Sequence, residues 1–403
     1  MNEHLTRREA LVAALAAMAL GGQALARPRA ARAAQGANIA VILPITKGRP
    51  GDPLAASNIL KSARLWAEWV NGRGGVDGQR VVLKIYDDRG DPDRGAKFVA
   101  HAVTVDQCAV ILGGWDSSVA AAEIADAHSY KVPMFLAYAW DPGLTTVNYP
   151  EVVRIGPNNA ILASAFPAFM KQMEYRHVAL LADDTAFGRG LGGTIQATAT
   201  LAGIDVVSQE FKRDTHDLRP KLKRVMARKP DALVIAAALT TAGGTLGVTQ
   251  ARAAGFKGDI VLAWDYVDEN FWKATGKQGV GVIWPTFSPP TLHLTSAGQT
   301  FTKLFTKKYK RAPLYYQALT WDQLSAWKWA VDTVGSVAPA DVIPTLPRID
   351  MQGTMGHIKL SNKPGTVHFN QWDGVTVYFD RATKKGATDS TAKVIASIKG
   401  ESP

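Results

Sequence analysis

A single cysteine in 403 residues, Cys108, leaves the chain with no internal disulfide to form. Its apolar setting in CAVIL fits a buried, inert thiol. Histidine is also sparse: the eight present are scattered with no H-x-x-x-H spacing, so neither a zinc site nor a cysteine–histidine pair is indicated. The serine stretch GGWDSS lacks the G-x-S-x-G elbow, and the first apolar run continues into PITKGRPGDP without the G-x-G-x-x-G of a dinucleotide site. Catalysis, a bound cofactor and a metal are therefore not expected. Lysines and arginines outnumber acids, for a formal net charge of +11, but they are scattered through FKRD, KLKR and TKKYKR with no aromatic-rich basic stripe. This pattern reads as a solvated surface, and nucleic acid is not an expected partner. With 47% hydrophobic and 20% charged residues, the chain has enough apolar material for two domains of about 100–200 residues each.

Residues 1–33 read as an export signal: Arg7 and Arg8 precede an apolar run over 10–20, followed by two small-residue cleavage candidates ending at Ala26 and Ala33. The run is too short to cross a bilayer, which takes about 20 apolar residues. TRREALV resembles a twin-arginine signal, and Arg27 and Arg29 disfavour the Sec route, although Ala10 stands where that motif usually has Phe. An ordinary Sec n-region is the alternative. No cysteine lies near the cleavage candidates, which excludes a lipid anchor, and a soluble periplasmic protein is expected. Removing Arg7, Arg8, Arg27, Arg29 and Arg32 together with Glu3 and Glu9 leaves a charge of about +8.

Strand and helix patterns then alternate. Continuous apolar runs at 38–45, 109–112, 132–136, 177–181, 232–237, 259–263 and 280–284, with further strand patterns at 81–86 and 205–211, predict strands, many of them buried on both faces. Helices are expected between them, as where Ile59, Ala63, Trp66 and Val70 recur at helical spacing before Asn71-Gly72. This rotation argues for doubly wound parallel sheets of the α/β class. It pauses at 139–159, where Pro, Gly and Asn gather, and at the irregular stretch 286–296, and changes character after 347.

The stretch AEWVNGRGGVDGQRVVLKIYDDRGDP resembles the first helix, glycine turn and second strand of type I periplasmic binding proteins, in particular the leucine/isoleucine/valine-binding branch that serves ABC importers. ILGGWDSSVAAAEIADAHSYKVPMF, VALLADDTAFGRGL and DALVIAAALTTAGGTLGVTQARAAGFKGDI agree in order and spacing, so the resemblance covers about residues 38–335. It implies two doubly wound lobes joined by a hinge of three crossovers, with a small ligand held between them. The three irregular passages map onto the crossovers, giving 34–154 with 287–352 as lobe 1 and 155–286 with 353–403 as lobe 2. Physically, Gly74-Gly75 lets the chain turn out of the helix at positive φ, and Asp91 with Pro92 caps the next one. A disulfide that often bridges this turn to the serine loop in the family is absent, because those positions read Gly90 and Asp116.

Ligands of doubly wound folds sit at the C-terminal ends of the strands. There, Gly113-Gly114 frees the backbone, and Ser117 and Ser118 open a helix whose unpaired N–H groups suit a carboxylate; a plain N-cap serine is the alternative. The resemblance places further ligand contacts at Tyr138, Ala139 and Trp140, where amino-acid binders carry small residues and a threonine. It also implies Phe187 as the ring that closes over the ligand and Asp265 as the partner of a ligand ammonium, against a loop-cap role for Asp265. Thr240 and Thr241 lie at another strand end, in a loop two residues off the family length. Of eleven tryptophans, Trp115, Trp140, Trp264 and Trp284 follow strand patterns near the expected cleft, stacking on a flat ligand, forming part of a cage for a substituted ammonium, or packing in the core; Trp66, Trp69, Trp327 and Trp329 fall on helical stretches. The expected function is that of a monomeric extracytoplasmic solute-binding protein passing an amino acid, amide or aromatic carboxylate to the membrane permease subunits of an ABC importer. A sensory module on the same fold is the alternative.

Overall fold

The computed structural model describes residues 37–46, 53–136, 138–237, 242–263, 267–288 and 295–399. The first half builds one parallel sheet from β1 (Ala37–Leu43), β2 (Val81–Asp87), β3 (Val110–Gly113), β4 (Met134–Leu136) and β5 (Val152–Val153). Its helices are α1 (Pro53–Asn71), α2 (Pro92–Thr104), α3 (Ser117–Ser129) and the single turn α4 (Gly143–Thr146). The strand order is β2-β1-β3-β4-β5, the doubly wound order whose direction reverses at β1. A second round follows with α5 (Asn159–Gln172), β6 (His177–Asp183), α6 (Ala186–Leu201), β7 (Asp205–Phe211), α7 (Arg219–Met226), β8 (Ala232–Ala236), α8 (Ala242–Ala253), β9 (Asp259–Leu262), α9 (Glu269–Thr275) and β10 (Ile283–Thr286). Its parallel strands run β7-β6-β8-β9-β10, the same order again.

The chain then leaves the second sheet. Helices α10 (Ser296–Tyr309) and α11 (Tyr315–Val334) return to the first half, where Ser62 Oγ on α1 donates to Gln317 O at 2.6 Å and Trp66 Nε1 donates to Ser325 Oγ at 3.0 Å. After the short α12 (Pro339–Val342), β11 (Asp350–Gln352), β12 (His357–Asn362) and β13 (Phe369–Trp372) form a small antiparallel sheet. Strands β14 (Thr376–Arg381) and β15 (Lys393–Lys399) finally pair antiparallel onto the edge of the second sheet at β10. The chain thus passes between the two large sheets three times, after β5, after β10 and by way of the small β11–β13 sheet, which gives the two-lobed α/β architecture.

Central strands are apolar along their length because both faces are covered, as in β1, which is buried at every position but Asn38; the edge strands β2 and β7 are largely half-exposed. Ile59, Ala63, Trp66 and Val70 of α1 are fully buried, as their spacing predicts. The glycine turn is obligatory at Gly75, where φ is +79° and a Cβ would lie 1.9 Å from Gln79 O. Asp91 caps α2, its carboxylate accepting from the Asp93 and Arg94 amides at 2.9 and 3.2 Å, with Pro92 at the first helical position. Cys108 is buried, and that burial pushes its thiol up to about 12, so it is inert.

Candidate ligand-binding site

The C-terminal ends of β3 and β4 form one wall. After β3 the chain turns at Gly114, where φ is +73° and a Cβ would lie 2.8 Å from that of Ala120. The Gly114 carbonyl accepts from the Tyr138 and Ala139 amides at 3.1 and 2.9 Å, so the loop after β3 and the loop after β4 are stitched together. Side chains follow the backbone: Trp115 lies flat on Tyr138, with ring centroids 4.2 Å apart and planes 8° from parallel. Trp140 stands next in line, 5.4 Å from the Tyr138 ring.

The cap of α3 is Asp116 and not a serine. Its carboxylate accepts from the Ser118 amide at 3.4 Å and from the Ser118 hydroxyl at 3.1 Å. Ser118 is exposed and committed to that cap. Ser117 is buried at the first helical position, and its oxygen accepts from the Asp141 amide at 3.2 Å. The Ser117 hydroxyl is therefore held between the two loops.

Sequence reasoning missed several members of this cluster. Tyr315 and Tyr316, at the start of α11, are buried: Tyr315 donates to the Tyr138 hydroxyl at 2.9 Å, and Tyr316 meets the Trp115 and Tyr138 rings edge-on. Phe287, just beyond β10, meets Trp140 edge-on at 5.6 Å. Gln323 of α11 donates to Leu136 O at 2.7 Å, tying the helix to the end of β4. Arg154 is fully buried beneath the loop after β4, donating to Gln371 Oε1 at 2.6 Å, Asp141 O at 2.7 Å, and Ala139 O and Thr145 Oγ1 at 3.3 Å each. Burial lowers its guanidinium to about 9 despite the charges of Asp141 and Asp373. Asn159 opens α5; its backbone amide donates to Trp140 O at 2.8 Å, while both polar atoms of its buried side chain lack a partner among the described residues.

The second sheet contributes Phe187 from the first turn of α6, whose cap is Thr185, accepting from the Gly188 amide at 3.0 Å. Phe187 is half-buried, with its ring 6.2 Å from Trp140. Arg213 and Asp116 form a second contact between the halves, at 3.6 Å. Trp115, Ser117, Tyr138, Ala139, Trp140 and Phe187 are thus brought to one place, with Ser118 at its edge. Thr240, Thr241, Trp264 and Asp265 lie outside the described residues. Trp284 does not follow a strand but lies fully buried inside β10, which runs on to Thr286, with Nε1 donating to Asp389 Oδ1 at 3.0 Å.

Among the described residues, no group of three or more His, Cys, Asp or Glu is placed to hold a metal ion, and no helix is long and apolar enough to cross a membrane. What the site offers is an aromatic wall, a fixed hydroxyl and backbone polar groups, suited to holding a small organic molecule.

The sequence is 28% identical over 199 residues to the Leu/Ile/Val-binding protein BraC3 of Rhizobium johnstonii, an alignment covering 48% of this chain and 53% of the relative. The chain spans about half the length of the curated relatives it matches. The fold is similar to the leucine binding protein LivK from Thermotoga maritima, with a TM-score of 0.80 at 22% identity, covering 90% of this chain and 98% of that one. It is also similar to an ABC-transporter solute binding protein from R. palustris in complex with benzoate, with a TM-score of 0.75 at 18% identity, covering 90% and 99%. A sequence model of the periplasmic binding protein family matches residues 37–397, nearly the whole described chain, and the protein belongs to that family.

Proposed function

We propose that the protein is an extracytoplasmic solute-binding protein that captures an aromatic or bulky amino acid, amide or carboxylate between its lobes and delivers it to the permease subunits of an ABC importer. The observation that carries this reading is the wall of Trp115, Tyr138 and Trp140 directly beside the buried Ser117 hydroxyl. The serine loop suits an acceptor such as a carboxylate, the rings suit a flat body, and Asn159, whose backbone bonds Trp140 O, carries a side-chain donor and acceptor with no partner among the described residues. Phe187 covers the ligand from the second lobe, and Asp265 pairs with its positive or hydrogen-bond-donating group. The benzoate bound by the R. palustris neighbour supports an aromatic acid. Leucine, isoleucine and valine, which name the relatives, rank behind it because Trp140 fills the space that a compact aliphatic side chain would occupy.

In this reading, 34–154 with 287–352 form one lobe and 155–286 with 353–403 the other. Residues 1–33 direct export and are removed after Ala26 or Ala33, so intact-mass measurement of exported protein should show a chain lacking at least the first 26 residues. Tryptophan fluorescence titrations with aromatic amino acids and amides, aromatic carboxylates and aliphatic amino acids test the ligand. The expected order of affinity is the order in which they are named, and tightest binding of leucine would reject the aromatic reading. For an ammonium-bearing ligand, Asp265→Ala should weaken binding by about 2–5 kcal/mol. Unchanged binding of the best ligand in that variant would replace the ammonium by an anionic aromatic.

A further inference from the structure

The second sheet carries a groove at its end away from the ligand cleft. It lies where the chain enters β8 and β9, between the segments 219–230 and 254–258, and has a volume of about 640 Å³. A ligand between the lobes meets the C-terminal ends of these parallel strands, so the groove is a separate place. Its floor is apolar: Leu222 and Pro230 are buried, while Met226 and Phe256 pack on the core but stay half-exposed, leaving apolar surface in the groove. The Phe256 ring is held in position. Arg252 stands 5.9 Å from its centroid, with Nη1 donating to the Phe256 and Gly258 carbonyls at 2.8 Å each. Gly258 leaves the ring room, since a Cβ there would lie 2.6 Å from Phe256 Cζ and 2.4 Å from Asp231 O.

The free charge at the rim is of one sign. Lys223, Lys229 and Lys257 are exposed, and none of their ammonium groups has an ion-pair or hydrogen-bond partner among the described residues. Arg219, the fourth cation of the lining, is already paired, its Nε and Nη2 donating to Asp217 at 2.8 and 3.0 Å. No acidic residue lines the groove. The nearby acids at the starts of β8 and β9 are committed elsewhere: Asp231 accepts from the Arg176 and His177 amides at 2.7 and 2.9 Å, and Asp259 from Arg381 at 2.7 and 3.0 Å. Twelve residues line the groove, against about 20–30 on each side of a stable protein interface, whereas its volume is that of a small-molecule pocket, about 300–1,000 Å³. Lysine stems and Met226 are apolar and adaptable, so these walls suit a flexible chain, where the stacked rings of the cleft suit a flat body.

We propose that this groove is a second binding site, for a medium-chain aliphatic carboxylate taken from solution. The chain lies against Leu222, Met226 and Phe256, and the carboxylate meets Lys223, Lys229 and Lys257 at the rim. An apolar floor alone would take an uncharged chain equally well; the three free ammonium groups with no competing acid select the anion. The site is independent of the cleft and of the ligand assigned to it above.

The test uses the full chain labelled at its methionine methyls and titrated with decanoate, below its aggregation threshold, in NMR. Met226, assigned through Met226→Leu, reports from the groove, and Met134, Met170 and Met173 lie elsewhere in the fold as references. The Met226 methyl should shift saturably while the references stay in place. Lys223→Gln combined with Lys257→Gln should weaken the titration about fivefold or more, and Ala227→Glu, which puts a carboxylate into the lining, more than about tenfold; the lysine effect should shrink at high salt. These three positions are exposed, so the substitutions leave the fold intact. Decanol, with the same chain and no charge, should bind at least about fivefold more weakly than decanoate. A Met226 methyl that decanoate does not move, equal binding of decanol, or unchanged affinity in the lysine variant would overturn the proposal. A Met226 shift produced by phosphatidylglycerol vesicles but not by dissolved decanoate would also overturn it, in favour of a membrane surface.

Discussion

The two parallel sheets share one strand order, yet their ends at the cleft are furnished differently. In the first, the loops after β3 and β4 are cross-stitched through the Gly114 carbonyl, backed by Arg154 and Gln323, and faced with Trp115, Tyr138 and Trp140, each less than 9% exposed. In the second, the buried Asp183 at the end of β6 accepts from Thr185 at its own helix start, and Phe187 beyond it is only half-buried. One lobe therefore presents a closely braced surface, and the other a half-exposed ring that faces it. A preorganised half lowers the ordering cost of binding, and a less constrained half allows closure.

The largest expected effect lies in the scaffold of the fixed half. Arg154→Met removes the guanidinium donor to the carbonyls of Ala139 and Asp141 and to Gln371 Oε1, and urea denaturation should show a loss of about 3–5 kcal/mol. A loss below about 1 kcal/mol would mean that the loop after β4 does not depend on it. Next comes the aromatic wall: Trp140→Leu should weaken the best ligand by about 2–4 kcal/mol in calorimetry. Phe187→Ala should weaken it less, by about 1–2 kcal/mol, with the melting temperature nearly unchanged because the ring is half-exposed in the folded protein. An equal effect at both positions would erase the distinction between the lobes. Smallest is Arg213→Ala: its ion pair with Asp116 is partly exposed, so its removal should change affinity by only about 0.2–1 kcal/mol, less at high salt.

The alternation of strands was legible because strands buried on both faces must be apolar throughout, and the turns at Gly75 and Asp91 because only particular residues satisfy them. Ser117, Tyr138, Trp140 and Phe187 were legible as strand-end residues once the family's order of segments was seen. Tyr315, Tyr316 and Phe287 were not, since they reach the site by a return crossover, and no local spacing says which later helix start will face β4. Trp284 was misplaced because the apolar pattern ends before the strand does. Arg154 and Glu123 read locally as ordinary charged positions, and their burial follows from tertiary packing alone.

Small-angle scattering, with and without the tightest ligand from the fluorescence titrations, tests the fixed and moving halves most directly. Saturation should reduce the radius of gyration and bring the profile to that of the arrangement described here, in which Phe187 faces Trp140 and Arg213 faces Asp116. A radius of gyration that stays the same on saturation would contradict closure of the second lobe onto the first.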